Sequence, residues 1–279
     1  MAALTLSRRL SADNPVAVLA LFPSLGSTAH MWDGAVKAIS SRTPLDVLFF
    51  DLPGHGGAPA EIEVNISALS RDVARQIADL SCERPVIAAG VSMGGAVAVE
   101  VASVPATNIA AFASFNSGLR FGTAEGFEVI IERARVAGTA AFDLEATRVG
   151  WFTPSFSSGA GLTVVDGMLN DLGDIDVESY VACCVALAEY DGTSAADSLN
   201  GLPGLVVGGV LDRATPAEGM RALAERTGAR YAELPGAHLA VVEDPLRTAA
   251  LLEDLIAACM DSGAGQASPQ TLTNIEEIS

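Results

Sequence analysis

The chain has 279 residues, of which 50% are hydrophobic, so it can bury a large core in one or two domains. Its formal net charge of −18 argues against nucleic acid and anionic membranes as partners, because like charges repel. No apolar run is long enough for a signal peptide or a membrane span, and the four cysteines show neither metal-ligand nor disulfide spacing. We therefore expect a cytoplasmic protein with reduced thiols.

Strand and helix patterns alternate along much of the chain. The first apolar run, residues 16–22, predicts a buried strand that stops at Pro23. The alternation extends over residues 16–80, 86–113 and 205–259, which is typical of parallel strands joined by helices. We therefore expect an α/β fold, with a mostly parallel central sheet covered by helices on both faces.

A sharp turn from strand to helix is indicated around Ser92. Residues 85–89 predict a strand, residues 96–102 predict a helix, and Gly90-Val91-Ser92-Met93-Gly94-Gly95 lies between them. A serine at the tip of so tight a turn has a strained backbone, and only residues without a Cβ fit beside it. The Gly-x-Ser-x-Gly pattern therefore favours a nucleophile elbow. An ordinary turn in a Gly- and Ala-rich chain is the alternative.

Residues 117–198 interrupt the alternation. They show helical patterns, including residues 125–136 and 177–190, together with glycines and short loops. We expect a helical insertion between the fifth and sixth core strands that lies over the serine as a lid and excludes water. Extra helices packed at the side of the core are the alternative.

The predicted domain organisation follows from this interruption. Residues 1–116 and 199–260 are expected to form one core domain, and residues 117–198 its helical lid. The remaining residues, 261–279, are polar and are expected to form a disordered tail.

An acid and a histidine follow two later strands, in that order. Residues 205–209 predict a strand whose following loop carries Asp212, and residues 230–234 predict another whose following loop carries His238. A serine hydroxyl needs an imidazole to take its proton, and the imidazole needs a carboxylate to fix its tautomer. The order predicts Ser92 as nucleophile, His238 as base and acid, and Asp212 as the orienting carboxylate. A solvated loop histidine and a helix-capping aspartate are the alternatives.

Such a triad also needs two donors for the developing oxyanion. The amide after the nucleophile, that of Met93, is the first candidate. The loop after the early strand, Pro23-Ser24-Leu25-Gly26-Ser27, supplies the second, and the amide of Leu25 is the preferred donor. Ser24 stands where many hydrolases have glycine.

At the level of the fold, the elbow with Asp212 and His238 resembles the α/β-hydrolase fold, with a helical lid inserted between core strands. Rarer strings resemble the bacterial 3-oxoadipate enol-lactonases of aromatic catabolism in order and spacing over roughly residues 10–258. These strings are Ser24-Leu25-Gly26-Ser27 with Met31-Trp32-Asp33, Arg120-Phe121-Gly122-Thr123, Trp151-Phe152-Thr153-Pro154 and Tyr180-Val181-Ala182-Cys183-Cys184.

One further loop, Asp51-Leu52-Pro53-Gly54-His55-Gly56, stands in the place of a common Gly-His-Gly loop of this fold. His55 has no partner visible in the sequence and is interpreted as structural. The sequence departs from the enol-lactonase pattern at Pro53, where arginine is usual, and at Phe127, where tryptophan is usual.

The resemblance implies a serine hydrolase that opens 3-oxoadipate enol-lactone without a metal or an organic cofactor. Because this lactone carries a carboxylate, a local cation is expected, and Arg120 at the start of the lid is the candidate. Trp151 and Phe127 are candidates for the pocket wall. A surface role for Arg120 and simple packing of both aromatic rings are the alternatives.

Other functions remain open at this point. A general carboxylesterase, or another cofactor-free α/β-hydrolase that acts on a different small acyl substrate, would use the same triad under a different lid. A non-catalytic ligand-binding protein on the same scaffold is a third possibility, although all the triad residues are in place. The sequence leaves open whether the protein is a monomer or a homodimer.

Overall fold

A single seven-stranded sheet forms the centre of the computed structural model, which describes residues 3–81, 84–105 and 108–261. In chain order the strands are β1 (Thr5–Leu10), β2 (Ala17–Phe22), β3 (Leu45–Asp51), β4 (Val86–Val91), β5 (Ile109–Phe115), β6 (Gly204–Gly209) and β7 (Arg230–Leu234). They are arranged β1-β3-β2-β4-β5-β6-β7. Only β1 is antiparallel to its neighbour, so the predicted mostly parallel sheet is confirmed.

Helices cover both faces of this sheet. The helices are α1 (Asp33–Ser40), α2 (Ile66–Ser81), α3 (Met93–Ser103), α4 (Ala124–Ala137), α5 (Leu144–Trp151), α6 (Pro154–Ser157), α7 (Leu162–Gly173), α8 (Val177–Ala188), α9 (Thr193–Asp197), α10 (Ala217–Thr227), α11 (Ala240–Glu243) and α12 (Pro245–Asp261). Two short 3₁₀ helices are Ala29–Trp32 and Gly138–Ala141.

The central strands are apolar without interruption because both of their faces are buried. In β2, Leu19 faces the hydrophobic cluster that includes α1 and α12, whereas the next residue, Ala20, faces the cluster that includes α2 and α3. Successive side chains of a strand point to opposite faces, so a strand buried on both sides needs apolar residues at every position. The continuous apolar runs therefore predicted these strands well.

The first strand was not predicted from the sequence. β1 lies at the end of the sheet and pairs antiparallel with β3, and none of its residues is fully buried. Arg8 and Arg9 interrupt its apolar pattern, and the Arg8 guanidinium lies 3.9 Å from the centre of the Phe49 ring. An edge strand with one exposed face does not need a continuous apolar run.

Residues 117–203, here called the helical segment, connect β5 to β6 and contain α4 to α9. The sheet takes β1–β5 from before this segment and β6–β7 from after it, the two parts predicted to form the core. The action of the segment as a lid stays a prediction. α12 continues to Asp261, one residue into the predicted tail, and residues 262–279 lie outside the described part of the chain.

Two further features bear on the sequence predictions. Cys183 and Cys184 are buried free thiols in α8, as the adjacent pair predicted. Over residues 3–81, 84–105 and 108–261, no helix is both long enough and apolar enough to cross a lipid bilayer.

Candidate active site

The turn between β4 and α3 carries Ser92 in a strained backbone conformation. Its φ of 56° and ψ of −118° are unusual for a residue with a side chain. The flanking glycines are required by close packing. A Cβ on Gly90 would lie 1.9 Å from the Gly94 carbonyl oxygen, and a Cβ on Gly94 would lie 2.4 Å from the Phe22 carbonyl oxygen. This geometry is that of a nucleophile elbow.

Hydrogen bonds from the neighbouring strand hold this turn in place. The Ser92 amide donates to the Phe115 carbonyl at 2.9 Å, at the end of β5. The Ser117 hydroxyl donates to the Ser92 carbonyl at 2.8 Å. Because both bonds use the backbone of Ser92, they fix the turn and leave its hydroxyl available.

Asp212 lies in the loop after β6 with its carboxylate fully enclosed. One oxygen, Oδ2, accepts hydrogen bonds from Asn116 Nδ2 at 2.8 Å and from the Thr215 hydroxyl at 2.5 Å. The other, Oδ1, accepts from the amides of Ala214 at 2.8 Å and Thr215 at 3.2 Å. Burial by itself raises the pKa of this carboxyl, but the bonds to His238, Thr215 and Asn116 outweigh it and lower the pKa to about 2. Asp212 is therefore an anion at any working pH.

His238 follows β7 and pairs with this carboxylate. Its Nδ1 lies 2.9 Å from Asp212 Oδ2, and its side chain is almost completely buried. A carboxylate accepts only, so Nδ1 carries the hydrogen and Nε2 is left free to take a proton. Ser92 and His238 line the same cavity, so three strand ends bring the predicted nucleophile, base and acid to one place.

Asn116 and Thr215 were not singled out from the sequence, yet both hold the Asp212 carboxylate. Asn116 follows β5 directly and adopts a φ of 44°, which Asn tolerates better than most residues. The available signal was its position, because β5 and β6 are neighbours and their carboxyl ends meet at one edge of the sheet.

The cavity, here called the central cavity, has a volume of about 670 Å³. On one side it is lined by loops that follow the strands, including Leu25, and on the other by the helical segment. Trp151 and Phe127, the two aromatic candidates for the pocket wall, both line it. Phe142 and Tyr180 were not predicted; they also line it and pack edge to face with ring centres 4.7 Å apart.

The two predicted oxyanion donors have amides that are not used elsewhere. Leu25 lies in the loop after β2 and lines the central cavity, and Met93 is the first residue of α3. Neither amide donates a hydrogen bond to any residue that the structure describes. Both donors are therefore available to a ligand, and their catalytic role stays a prediction.

The structure corrects the placement of Arg120. Its guanidinium pairs with Asp191 at the surface, its side chain is 69% exposed, and it is absent from the lining of the central cavity. The surface interpretation therefore holds for Arg120. Arg133 of α4 and Arg213 after Asp212 line the cavity instead, and neither has a carboxylate partner within the described ranges.

This lack of partners is unusual for the chain. Eleven other arginines in the described residues have a carboxylate within 4.0 Å. Of these eleven, only Arg148 lies on α5, a helix of the cavity wall. In so acidic a protein, an arginine without a partner is available to an anion from outside. Within the same ranges, no group of three or more His, Cys, Asp or Glu is placed to hold a metal ion.

The helical segment is attached to the loop that carries His238. The Leu239 amide donates to the Trp151 carbonyl at 2.9 Å. The Glu243 carboxylate accepts from the Ala237 amide at 2.7 Å through one oxygen and from the Thr153 amide at 3.1 Å through the other. The position of His238 therefore depends on both parts of the chain.

Comparisons with known proteins agree with this geometry. A family model described as the alpha/beta hydrolase family matches residues 18–251. The protein 3-oxoadipate enol-lactonase 2 from Acinetobacter baylyi is 27% identical over 237 residues, which cover 84% of this chain and 85% of that protein. The enol-lactonase from Burkholderia xenovorans LB400 has a solved structure that matches with a TM-score of 0.80 at 27% identity, covering 90% of this chain and 95% of that one.

A more distant structure gives information on the fold alone. The thermophilic esterase from Thermogutta terrifontis matches with a TM-score of 0.79 at 21% identity, over 90% of this chain and 92% of that chain. The suspected resemblance to enol-lactonases is confirmed as a similarity to proteins of that name. Because the family match spans most of the residues, from the early strands to the last helix, the chain belongs to the alpha/beta hydrolase family.

Proposed function

We propose that the protein is a serine hydrolase that opens the ester of 3-oxoadipate enol-lactone to give 3-oxoadipate. The observation that carries the proposal is the strained Ser92 in one cavity with His238, whose Nδ1 lies 2.9 Å from Asp212. The relatives of 27% identity that bear the enol-lactonase name support the choice of substrate.

Acylation begins when His238 Nε2 takes the Ser92 proton as the hydroxyl oxygen attacks the lactone carbonyl. The negative charge that develops on the carbonyl oxygen is stabilised by the amides of Leu25 and Met93. Ring opening then breaks the ester C–O bond. Since the leaving group is an enolate, it departs readily; it takes up the proton that His238 received from Ser92 and ketonises to the 3-oxo acid, which leaves His238 neutral for the next step.

Deacylation uses the same groups. His238 removes a proton from water, the water oxygen attacks the acyl-enzyme carbonyl, and Ser92 leaves with the proton that His238 returns. The new carboxylate is released as part of 3-oxoadipate. Asp212 stabilises the imidazolium that forms in both steps, and these steps need no metal or organic cofactor.

The cations of the central cavity support a substrate that carries a carboxylate. The lactone is small and carries a free carboxylate, and a protein of net charge −18 must supply a local positive charge. Arg133 and Arg213 take over the role first given to Arg120, because they line the cavity without carboxylate partners. The aromatic rings of Trp151 and Phe127 would pack against the lactone ring.

A general carboxylesterase is the second candidate. The walls of the central cavity include Ile130 and several aromatic rings, and both cavity arginines are exposed to solvent, so a neutral acyl group would also fit. The triad would act in the same way on such a substrate.

The test is to supply 3-oxoadipate enol-lactone, generated in place from muconolactone by its isomerase, to the purified protein. Loss of lactone absorbance is followed beside hydrolysis of p-nitrophenyl acetate as a neutral ester. Rapid lactone loss with weak activity on the acetate supports the enol-lactonase proposal. Activity on the acetate alone keeps the serine mechanism and favours the carboxylesterase. Activity on neither ester contradicts both.

A further inference from the structure

His55 lies outside the triad but contacts the loop that carries a predicted oxyanion donor. It follows β3 in the loop Pro53-Gly54-His55-Gly56, and its side chain is completely buried. Its Nδ1 is 2.8 Å from the Pro53 carbonyl oxygen, and its Nε2 accepts the Gly26 amide at 3.1 Å. The ring thus joins the loop after β3 to the loop after β2.

The two partners of the ring determine its tautomer. A carbonyl oxygen can only accept, so Nδ1 must carry the hydrogen, and Nε2 is then an acceptor for the Gly26 amide. Burial lowers the pKa of His55 to about 4, although the Pro53 carbonyl and the Asp176 carboxylate act in the opposite direction. The ring therefore remains neutral at working pH, and the acceptor is present throughout.

The Gly26 amide lies one residue beyond Leu25, a residue that lines the central cavity. Other amides of this loop are also tied: that of Ser27 donates to the Ser24 carbonyl at 3.1 Å, and that of Ala29 donates to Asp51 Oδ1 at 2.7 Å. Within the described residues, the Leu25 amide has no acceptor, as noted above. The loop therefore holds its neighbouring donors and leaves this one for the cavity.

The conformation at Gly26 makes the bond to His55 important. Gly26 has a φ of +84°, and a Cβ built there would lie 3.0 Å from Trp151 Cζ2. Glycine has wide freedom of rotation, so without the bond to His55 the Leu25–Gly26 peptide could turn, and the Leu25 amide, which lies one peptide earlier, would lose its fixed direction. His55 removes that freedom.

The loop that carries His55 is itself fixed on its other side. The Gly54 amide donates to the Pro59 carbonyl at 2.9 Å, and the Gly54 carbonyl accepts the Asp176 amide at 3.0 Å. The backbone next to the imidazole is therefore held by hydrogen bonds to two other segments of the chain.

We infer that His55 is a positioning residue, which holds the Gly26 amide so that the Leu25 amide points at the oxyanion formed on the substrate carbonyl. The inference rests on the serine mechanism proposed above. It applies to any ester that this site cleaves, because the oxyanion is common to all of them.

Two substitutions separate the two bonds of the ring. His55→Gln places an amide oxygen near the position of Nε2 and can still accept the Gly26 amide. His55→Asn places its amide nitrogen near the position of Nδ1, so it can donate to the Pro53 carbonyl but does not reach Gly26. The readout is the rate at which p-nitrophenyl acetate acylates Ser92 in a single turnover, together with KM.

We expect His55→Asn to slow acylation about 10- to 100-fold with little change in KM. Removal of an oxyanion donor costs more than this, and a donor that points in the wrong direction should cost part of that amount. His55→Gln should stay within about threefold of the parent rate, because the acceptor is kept. Leu252→Ala, which empties a buried position of α12, is the control for lost stability and should leave acylation unchanged.

An unchanged rate in folded His55→Asn overturns the inference, and so does a loss in His55→Gln that equals the loss in His55→Asn. If His55→Asn does not fold, nitrogen NMR of the parent protein decides. A hydrogen on His55 Nδ1 and a coupling between Nε2 and the Gly26 nitrogen support the inference; a hydrogen on Nε2 overturns it.

Failure of the proposed function gives a different result. If Ser92→Ala keeps its activity, the serine mechanism is lost whatever His55 does. If Ser92→Ala is inactive and the His55 variants behave like the parent, only the positioning role is lost.

Discussion

The carboxyl edge of the sheet and the helical segment both line the central cavity, but they hold their side chains differently. Ser92, Asp212 and His238 follow strands and are fixed by short hydrogen bonds to buried partners. α4 of the helical segment carries Phe127 and Arg133, yet Ala134 is its one buried residue within the described chain. The candidate catalytic groups are thus held by buried partners, whereas the wall that we propose to select the acyl group belongs to a more exposed helix.

The largest effect is expected at the sheet edge, from Ser92→Ala. Removal of the nucleophile should lower kcat about 10⁴- to 10⁶-fold on either ester, with the fold intact, because no other hydroxyl occupies the elbow. The measurement is the initial rate with circular dichroism of the same sample. Ser198→Ala is the matched control and should keep full activity. A residual rate of a few per cent in Ser92→Ala contradicts the serine mechanism.

The second effect, from Asp212→Asn, tests the same edge. The amide cannot accept the Nδ1 hydrogen in the same way and favours the other tautomer of His238, so kcat should fall about 10³- to 10⁴-fold at neutral pH. Asp244→Asn makes the same chemical change at the cap of α12, where Asp244 Oδ1 accepts the Arg247 amide. This control should leave kcat nearly unchanged. Equal rates in the two variants would remove Asp212 from the mechanism.

The third effect concerns stability at the sheet edge. The folded pKa of His55, about 4, lies below its ordinary value of 6.5, so between these values the unfolded chain binds more protons. The free energy of unfolding should therefore fall as the pH falls from 6.5 to 4, by up to about 3 kcal/mol from this group. Asp212, with its pKa lowered to about 2, adds a loss of stability only below its ordinary pKa of 3.8.

Denaturant unfolding at several pH values between 4 and 7 measures this slope. His55→Gln lacks the titrating group and should show a shallower dependence than the parent protein over the same window. Parallel curves for the two proteins would show that His55 is not a buried neutral ring.

The smallest effect belongs to the helical segment. Arg133→Ala should lower kcat/KM on the enol-lactone about tenfold, because an exposed guanidinium gives a carboxylate only part of the energy of a buried charged hydrogen bond. The rate on p-nitrophenyl acetate should not change. Arg213→Ala tests the other cavity cation in the same way, and Arg120→Ala is the matched surface control. Equal losses on both esters would exclude a carboxylate-binding role.

The features that could be predicted from the sequence are those whose constraint is local. The elbow could be predicted because Gly90 and Gly94 are required by steric limits within five residues of Ser92. Asp212 could be placed because it follows the apolar strand β6, and His238 because it follows β7, the next strand of the chain. These signals depend on chain order and backbone geometry, both of which a sequence contains.

Contacts between side chains that meet across the fold could not be predicted in this way. Asn116 contacts Asp212 from 96 residues away, and no local pattern points to that contact. Arg120 was assigned to the pocket by its place in the chain, but the direction of its side chain depends on Asp191, 71 residues later. The hydrogen bond between His55 and Gly26 could not be predicted for the same reason, since Gly26 lies 29 residues earlier in the chain.

The Glu243 carboxylate, which binds two parts of the chain, limits how this protein can be redesigned. One of its oxygens binds the loop before His238, and the other binds the amide of Thr153 at the cavity wall. A chimera that receives the helical segment of a relative would have new cavity walls, but it would also lose one of the two contacts that hold the loop of His238, the proposed general base. Transplants that keep residues 151–153 and Glu243 together should therefore change the substrate specificity without lowering kcat. Transplants that take these residues from different proteins should lower kcat on every ester.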